Sequence, residues 1–326
     1  MVFFLAARSR WRRLRTSKLL LAGLHRAEDL LLALVWGFFG MLSVERASRL
    51  GFRILSLVGP RMRKSRHVRA NLAMARPDLS KAELDALVAE TWGNYGSALA
   101  EYPHLETICV AEADLRLEVV GLEHAQAVVD AGEALLFAPA HLANWEVPAA
   151  LVQRAGFPLT VVHSPMRNPL IAARMARARE PSGCEFLSKG DGVRAVIERL
   201  RKRRLVAILP DVRIDSGVQV RMFGQEVPTT LVPARLAIRE NCALVPVRIE
   251  RLPDVRFRIT VYPPLRPAPE IEDPKQQALE MTQRLNDHYS EWIRERPSDW
   301  LCVKRRKPKR NKERPRYLKE APDSQV

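Results

Sequence analysis

The sequence predicts an α/β fold with a mostly parallel central sheet flanked by helices, preceded by an N-terminal membrane-associated helical region. Three observations predict it. From about residue 117, short apolar runs alternate with amphipathic segments. The runs Ala134–Pro139 (ALLFAP), Pro158–His163 (PLTVVH) and Leu205–Pro210 (LVAILP) are nearly continuous, the mark of strands covered on both faces. Between them the period is helical, as in Val193, Val196, Ile197 and Leu200 at i, i+3, i+4 and i+7.

Taken from the N-terminus, residues 1–18 form a basic arm with six Lys or Arg and no acid. The apolar run Leu19–Leu24 follows, then His25, Arg26, Glu28 and Asp29, then the 15-residue uncharged run Leu30–Val44. As a helix the second run extends about 22 Å, short of a hydrocarbon core of about 30 Å. It reads as a membrane-embedded or interfacial helix rather than a cleaved leader, since acids precede it and no small-residue site closes it. Residues 45–105 read as helical, with a basic stretch at Arg61–Arg69 and a capping box formed by Ser80 and Glu83. Beyond 117, helices are expected near 144–155, 168–180, 190–203 and 272–296, and two more strands at Ala243–Glu250 and Val255–Tyr262. The resulting domains are 1–45 (basic arm and membrane helix), 46–303 (helical leader 46–105, α/β core 117–303) and 304–326 (a basic, disordered tail).

With 47% hydrophobic residues the chain can bury a sizeable core. Its formal charge of +16 lies in the arms: residues 304–316 hold nine bases against Glu313, and residues 19–303 carry only +3. A nucleic-acid reader places its charge on a folded face, so this distribution argues against one and suits an anionic membrane surface. Cys109, Cys184, Cys242 and Cys302 lie far apart with no CxxC pair, which argues against a zinc site or a disulfide framework.

The sharpest motif is His141-Leu142-Ala143-Asn144-Trp145-Glu146, directly after the strand ending at Pro139. Catalytic groups of α/β sheets gather at the carboxyl ends of strands. Asn144 is placed to cap the next helix, and Asn144 or backbone N–H groups there are candidates to stabilise an oxyanion. Five residues of regular helix would separate His141 from Glu146, but a bent loop can return the carboxylate to the imidazole. A histidine so oriented is a general base for a hydroxyl attacking an acyl carbonyl. No GxSxG elbow appears and no Cys lies near His141, which argues against a covalent acyl-enzyme. Arg167, Arg174, Arg177 and Arg179 could meet acceptor phosphates, and Asp211, after a strand end, is a further site candidate.

HLANWE after an apolar strand resembles the HxxxxE block of glycerolipid-type acyltransferases, and its Asn-Trp-Glu ending resembles the bacterial lipid A late acyltransferases of lauroyl/myristoyl type. Pro165-Met166-Arg167-Asn168-Pro169-Leu170, Arg179 with Gly183, Leu209-Pro210-Asp211, Gly217–Val220, Phe223-Gly224, Thr229-Thr230 and Val245-Pro246-Val247 follow in that family's order. Arg69–Leu72 and Arg76-Pro77-Asp78 are similar to its helical leader. The resemblance covers roughly residues 30–305. It departs at Ser164, where an Arg is common, and at Cys302 and Lys304 before Arg305 and Arg306, positions expected to touch a headgroup.

The resemblance implies a membrane-bound acyltransferase at the cytoplasmic face of the inner membrane. It would move an acyl chain from acyl carrier protein to a hydroxyl of a lipid A precursor, with no metal or cofactor. His141 would be the base, Glu146 the residue orienting its imidazole, and Asn144, Arg167, Arg179 and Asp211 substrate contacts. The alternatives are a lysophospholipid or mannosylated glycolipid acceptor, or a non-enzyme: a basic nucleic-acid-binding or membrane scaffold protein.

Overall fold

The computed structural model describes residues 18–149, 156, 158–300 and 302–307. The bases of residues 8–15, those beyond 307 and the second half of the helix expected at 144–155 lie outside the described residues.

The continuous apolar runs become the interior of a sheet. Among the described residues it has seven strands: β1 (Leu117–Val120), β2 (Leu135–Pro139), β3 (Leu159–His163), β4 (Glu185–Ser188), β5 (Leu205–Ala207), and the pair β8 (Ala243–Leu252) and β9 (Arg256–Val261). Their order is β1-β9-β8-β2-β5-β3-β4. β2 lies at the centre and is buried at every position, as its unbroken ALLFAP run requires. It runs parallel to β8 on one side, with Phe137 opposite Val245, and to β5 on the other, with Leu136 opposite Val206.

The sheet is not parallel throughout. β8 and β9 pair antiparallel because a single turn, Pro253–Val255, joins them, too short for a crossover. β6 (Val218–Met222) and β7 (Gln225–Thr229) form a separate hairpin. Its two turn residues, Phe223 and Gly224, have φ of +54° and +77°, the left-handed backbone that matches strand twist. Sequence periodicity had marked neither this hairpin nor β1 and β4, whose four-residue lengths carry little pattern.

Helices cover the sheet: α5 (Leu122–Asp130), α6 (Pro169–Arg179), α7 (Gly192–Arg201), α8 (Val232–Arg239) and α9 (Pro274–Glu295), after the leader helices α2 (Val44–Val58), α3 (Ser65–Ala75) and α4 (Lys81–Ala100). The expected capping box is present at α4, where the Ser80 hydroxyl accepts from Glu83 N and the Glu83 carboxylate accepts from Ser80 N. The two N-terminal apolar runs form one helix, α1 (Lys18–Gly40). The two acids between them, Glu28 and Asp29, bind inward, as does the His25 carbonyl. Asn168 Nδ2 donates to His25 O and to the Glu28 carboxylate, both at 2.9 Å, and Arg174 grips Asp29 at 2.7 and 2.9 Å. No helix among the described residues is long and apolar enough to cross a membrane.

α2 and α4 touch backbone to backbone at Gly51 and Gly96. A Cβ added to either would overlap the other's carbonyl oxygen. Gly96→Ala should therefore cost about 1–3 kcal/mol of stability in urea unfolding. Gly23→Ala, with open space on α1, should be neutral or stabilising by about 0.5–1 kcal/mol in the same assay.

Candidate active site

Because β2 and β5 are parallel neighbours, the residues that follow them emerge at the same edge of the sheet. His141 comes two residues after β2 and Asp211 four after β5, so 70 positions of sequence collapse into one contact. His141 Nδ1 lies 2.6 Å from Asp211 Oδ1, and His141 N donates to Asp211 Oδ2 at 3.1 Å. Trp300 Nε1 donates to the same oxygen at 3.1 Å. The Asp211 carboxylate is wholly enclosed, whereas the His141 side chain is 29% exposed. With Nδ1–H directed at the carboxylate, Nε2 is the nitrogen that can accept a proton.

The loop carrying His141 is clamped from the opposite end of the chain. Leu142 bridges to Trp300, and Ala143 N donates to Asp299 O at 2.9 Å. That bond holds Ala143 at φ +48°, a left-handed conformation costing about 1–2 kcal/mol for an L-residue. Trp145 packs its ring 5.7 Å from the imidazole and stacks on Tyr95 of α4.

Glu146 does not orient the imidazole. Arg179, at the end of α6, forks onto it with Nε to Oε2 at 2.8 Å and Nη2 to Oε1 at 2.6 Å, and Tyr102 donates its hydroxyl to Oε1 at 2.5 Å. The two planar groups match bidentately, and both Glu146 oxygens are engaged there rather than by the His141 ring. Tyr102 in turn stacks against Trp36 of α1, ring centres 5.2 Å apart.

Asn144, expected at the substrate, is 1% exposed. Its Oδ1 caps Glu146 N, as the sequence suggested, but its Nδ2 donates to Glu101 at 2.8 Å and is spent there rather than on an oxyanion. Asp211 and Arg179 likewise face protein groups instead of a ligand surface. Arg174 is held by Asp29, which leaves Arg167 and Arg177 as the exposed cations of this segment. Cys302 and Arg306, expected near a headgroup, are buried because the 302–306 segment is drawn in by Asn71 of α3, which bonds Cys302 O, Lys304 O and Arg306 N.

The residue that sequence reasoning missed most completely is Glu101. It is fully buried, accepts from Ser48 and Asn144, and is gripped by Arg251 at 2.6 and 2.9 Å. No motif marks it, since its partners come from three separate segments.

Burial alone would raise both buried carboxyls. At Asp211 the nearby His141 and the His141 and Trp300 hydrogen bonds outweigh it and hold the group below the usual carboxylate range. At Glu101 the Arg251 charge, with hydrogen bonds from Arg251, Ser48 and Asn144, does the same. Tyr102 is pushed well above the usual phenol range, first by burial and then by the Glu146 charge, so it stays a donor. Burial opposes the Arg179 cation, but Glu146 more than offsets it.

Residues 17–307 match the family described as bacterial lipid A biosynthesis acyltransferase. The chain is 28% identical to the phosphatidylinositol mannoside acyltransferase of Mycolicibacterium smegmatis over 222 residues, 66% of this chain and 70% of that one. It is 24% identical to the lipid A biosynthesis myristoyltransferase of Escherichia coli over 76% of this chain and 78% of that one. For the lauroyltransferase of the same organism the figures are 26%, 75% and 79%.

Since Asp211 and Glu101 have folded-state pKa values below those of the unfolded chain, their contribution is present above the unfolded carboxyl range, about pH 4, and is lost as pH falls through the folded values. Thermal unfolding should show a Tm steady from about pH 5 upward and falling below about pH 4, with a smaller acid loss in Glu101→Gln.

Proposed function

This chain belongs to the bacterial lipid A biosynthesis acyltransferase family and is an acyltransferase, and from that premise we propose that it transfers a fatty acyl chain from acyl carrier protein to a hydroxyl of a lipid A precursor. The observation that carries the reading is the His141–Asp211 pair at the carboxyl edge of the sheet, with the ring 29% exposed. His141 Nε2 takes the proton as the acceptor oxygen attacks the thioester carbonyl. Asp211 holds the tautomer and stabilises the imidazolium that forms. The tetrahedral intermediate collapses, the C–S bond breaks, and the carrier thiolate receives the proton from His141. No enzyme nucleophile, metal or cofactor takes part. Glu146 serves through Arg179: the pair ties the turn after His141 to the end of α6, so the base keeps its place. Arg167 and Arg177 are the cations for acceptor phosphates.

The acceptor is a membrane lipid, and α1 supplies the contact with the bilayer. Leu30, Leu31, Leu34, Val35, Phe38 and Met41 recur at one helical face, with Leu34 64% and Met41 78% exposed. The opposite side is bound to α6 and Tyr102. The helix lies in the interface on the cytoplasmic side of the inner membrane, a surface that the bases of residues 1–18 favour by their charge. A mannosylated phospholipid acceptor is the second reading, supported by the mycobacterial relative.

His141→Ala should lower turnover at least about 100-fold, and Asp211→Asn about 10³-fold or more, in transfer from acyl carrier protein to a lipid A precursor. Mass spectrometry of lipid from cells with and without the gene identifies the acceptor. An unchanged lipid A pattern together with loss of an acylated mannolipid would select the second reading. Replacing Leu31, Leu34 and Phe38 together by Glu should weaken binding to phosphatidylglycerol-containing vesicles at least about tenfold, measured by flotation, without lowering Tm.

A further inference from the structure

The cations of the C-terminal segment do not all turn inward. Arg306 is enclosed, but Lys304 and Arg305 are half-buried and Lys307 is exposed. Lys304 Nζ donates to Arg213 O at 2.8 Å, two residues beyond the carboxylate that holds His141, and shares Asp215 with the Arg213 guanidinium. The segment lies along α3. His67 and Asn71, one turn apart on that helix, meet it: His67 Nδ1 is 3.0 Å from Val303 O, and Asn71 bonds the backbone of residues 302, 304 and 306. One turn before His67 come Arg63 and Lys64, and Arg66 beside it is exposed. Arg63, Lys64, Arg66, Lys304 and Arg305 thus form one basic band, with Asp215 as the acid paired inside it.

This band borders the mouth of the site. Trp145, whose ring is 5.7 Å from the imidazole, packs against the apolar cluster that includes Met62, Val68 and Val303. The lipid side lies across from it. Right-handed crossovers put α6, which leads from β3 out to β4, on one face of the sheet, and α7 and α8, which lead back to β5 and β8, on the other. α1 packs on α6, whereas α9 packs on α8 and α3 touches α9. The turn after His141 is tied to the first side through Glu146 and to the second through Trp145. The other basic run, residues 199–204, comes just before β5 and so sits at the opposite edge of the sheet from His141. Its charges are answered there by Glu185, Glu198 and Glu240.

We propose that the basic band of α3 and the C-terminal segment is the docking surface for the acidic acyl carrier protein, which approaches His141 from the side opposite the α1 membrane contact. A carrier presents its thioester at the end of a flexible prosthetic arm, so its protein body docks at the rim and only the arm enters. A lipid and a protein that react at one histidine need separate approaches, and the two flanks of the mouth supply them. Charges at such a rim act mainly through the rate of encounter and its salt dependence.

The proposal rests on the carrier protein being the donor, and its test measures binding in the full chain without an acceptor. In Arg66→Glu/Arg305→Glu, affinity for a fluorescently labelled acyl carrier protein, read by anisotropy at low salt, should fall at least about tenfold. Arg201→Glu/Lys202→Glu, with the same change of net charge at the opposite edge of the sheet, should bind as the native chain does. In acyl transfer the first variant should raise KM for the acyl carrier by a similar factor while kcat, KM for the lipid and flotation on phosphatidylglycerol-containing vesicles stay native. An acyl-pantetheine thioester, which has the arm without the acidic protein, should serve both chains alike. Carrier affinity unmoved in the first variant, or lowered equally in the second, overturns the proposal. So does loss of vesicle binding in place of carrier binding, which would give the band to the membrane. A native chain that binds no acyl carrier protein overturns the donor reading and the band together; a native chain and variant that bind it equally overturn the band alone.

Discussion

The contact between the enclosed Asp211 carboxylate and His141 is what the remaining architecture serves. A carboxylate with no exposed surface persists as an ion only if its oxygens are fully answered. Here two donors come from His141 and one from Trp300. The first requires β2 and β5 to be parallel neighbours, and the second requires the chain's C-terminal segment to return across the sheet edge. Bending the loop through Ala143 to bring the imidazole over the carboxylate costs backbone strain, which the Asp299 carbonyl offsets.

Around that contact, two buried ion pairs and one buried arginine tie distant segments together. Glu101 joins α2, the end of α4, the His141 loop and β8 through Ser48, Asn144 and Arg251. Glu146 joins the same loop to α6 through Arg179 and to α1 through Tyr102 and Trp36. Arg306 brings the C-terminal segment beside β7 through Thr229. Buried ion pairs are poor sources of net stability, but each is costly to break singly, so they specify one arrangement of the segments they join. An apolar core alone would allow the loop far more latitude. The same logic explains α1: its acids Glu28 and Asp29 face α6 because Asn168 and Arg174 receive them, which leaves the apolar face outward.

Much of this was legible in the chain. The continuous apolar runs gave the buried strands, the period of 3.6 gave the helices, and Ser80 with Glu83 gave a helix start, because these are local patterns enforced by local sterics and burial. The chain marks His141 as a candidate base by its place after a strand. Its carboxylate was read as Glu146, five residues away, yet it is Asp211, 70 positions on. Asp211 itself had been singled out, but as a substrate contact. Glu101, Tyr102, Trp300 and Arg251 carry no local signal, since each acquires its role from partners in other segments. The β8–β9 reversal and the β6–β7 hairpin were missed because short turns decide them, not the strands' own composition.

The sequence by itself determined the fold class, the strand that presents His141, the family and hence the reaction class. All of these follow from periodicity and from short motifs that a linear chain displays. Only the tertiary structure decided which carboxylate meets the imidazole, which arginines are held inside and which stay exposed, and that Arg306 is enclosed. The physical reason is that hydrogen bonds and charge pairing act over a few ångströms in space. The distance along the chain between two groups says nothing of their separation until the sheet order is fixed. In this protein that order sets β2 against β5, and the pairing of the charges follows from it.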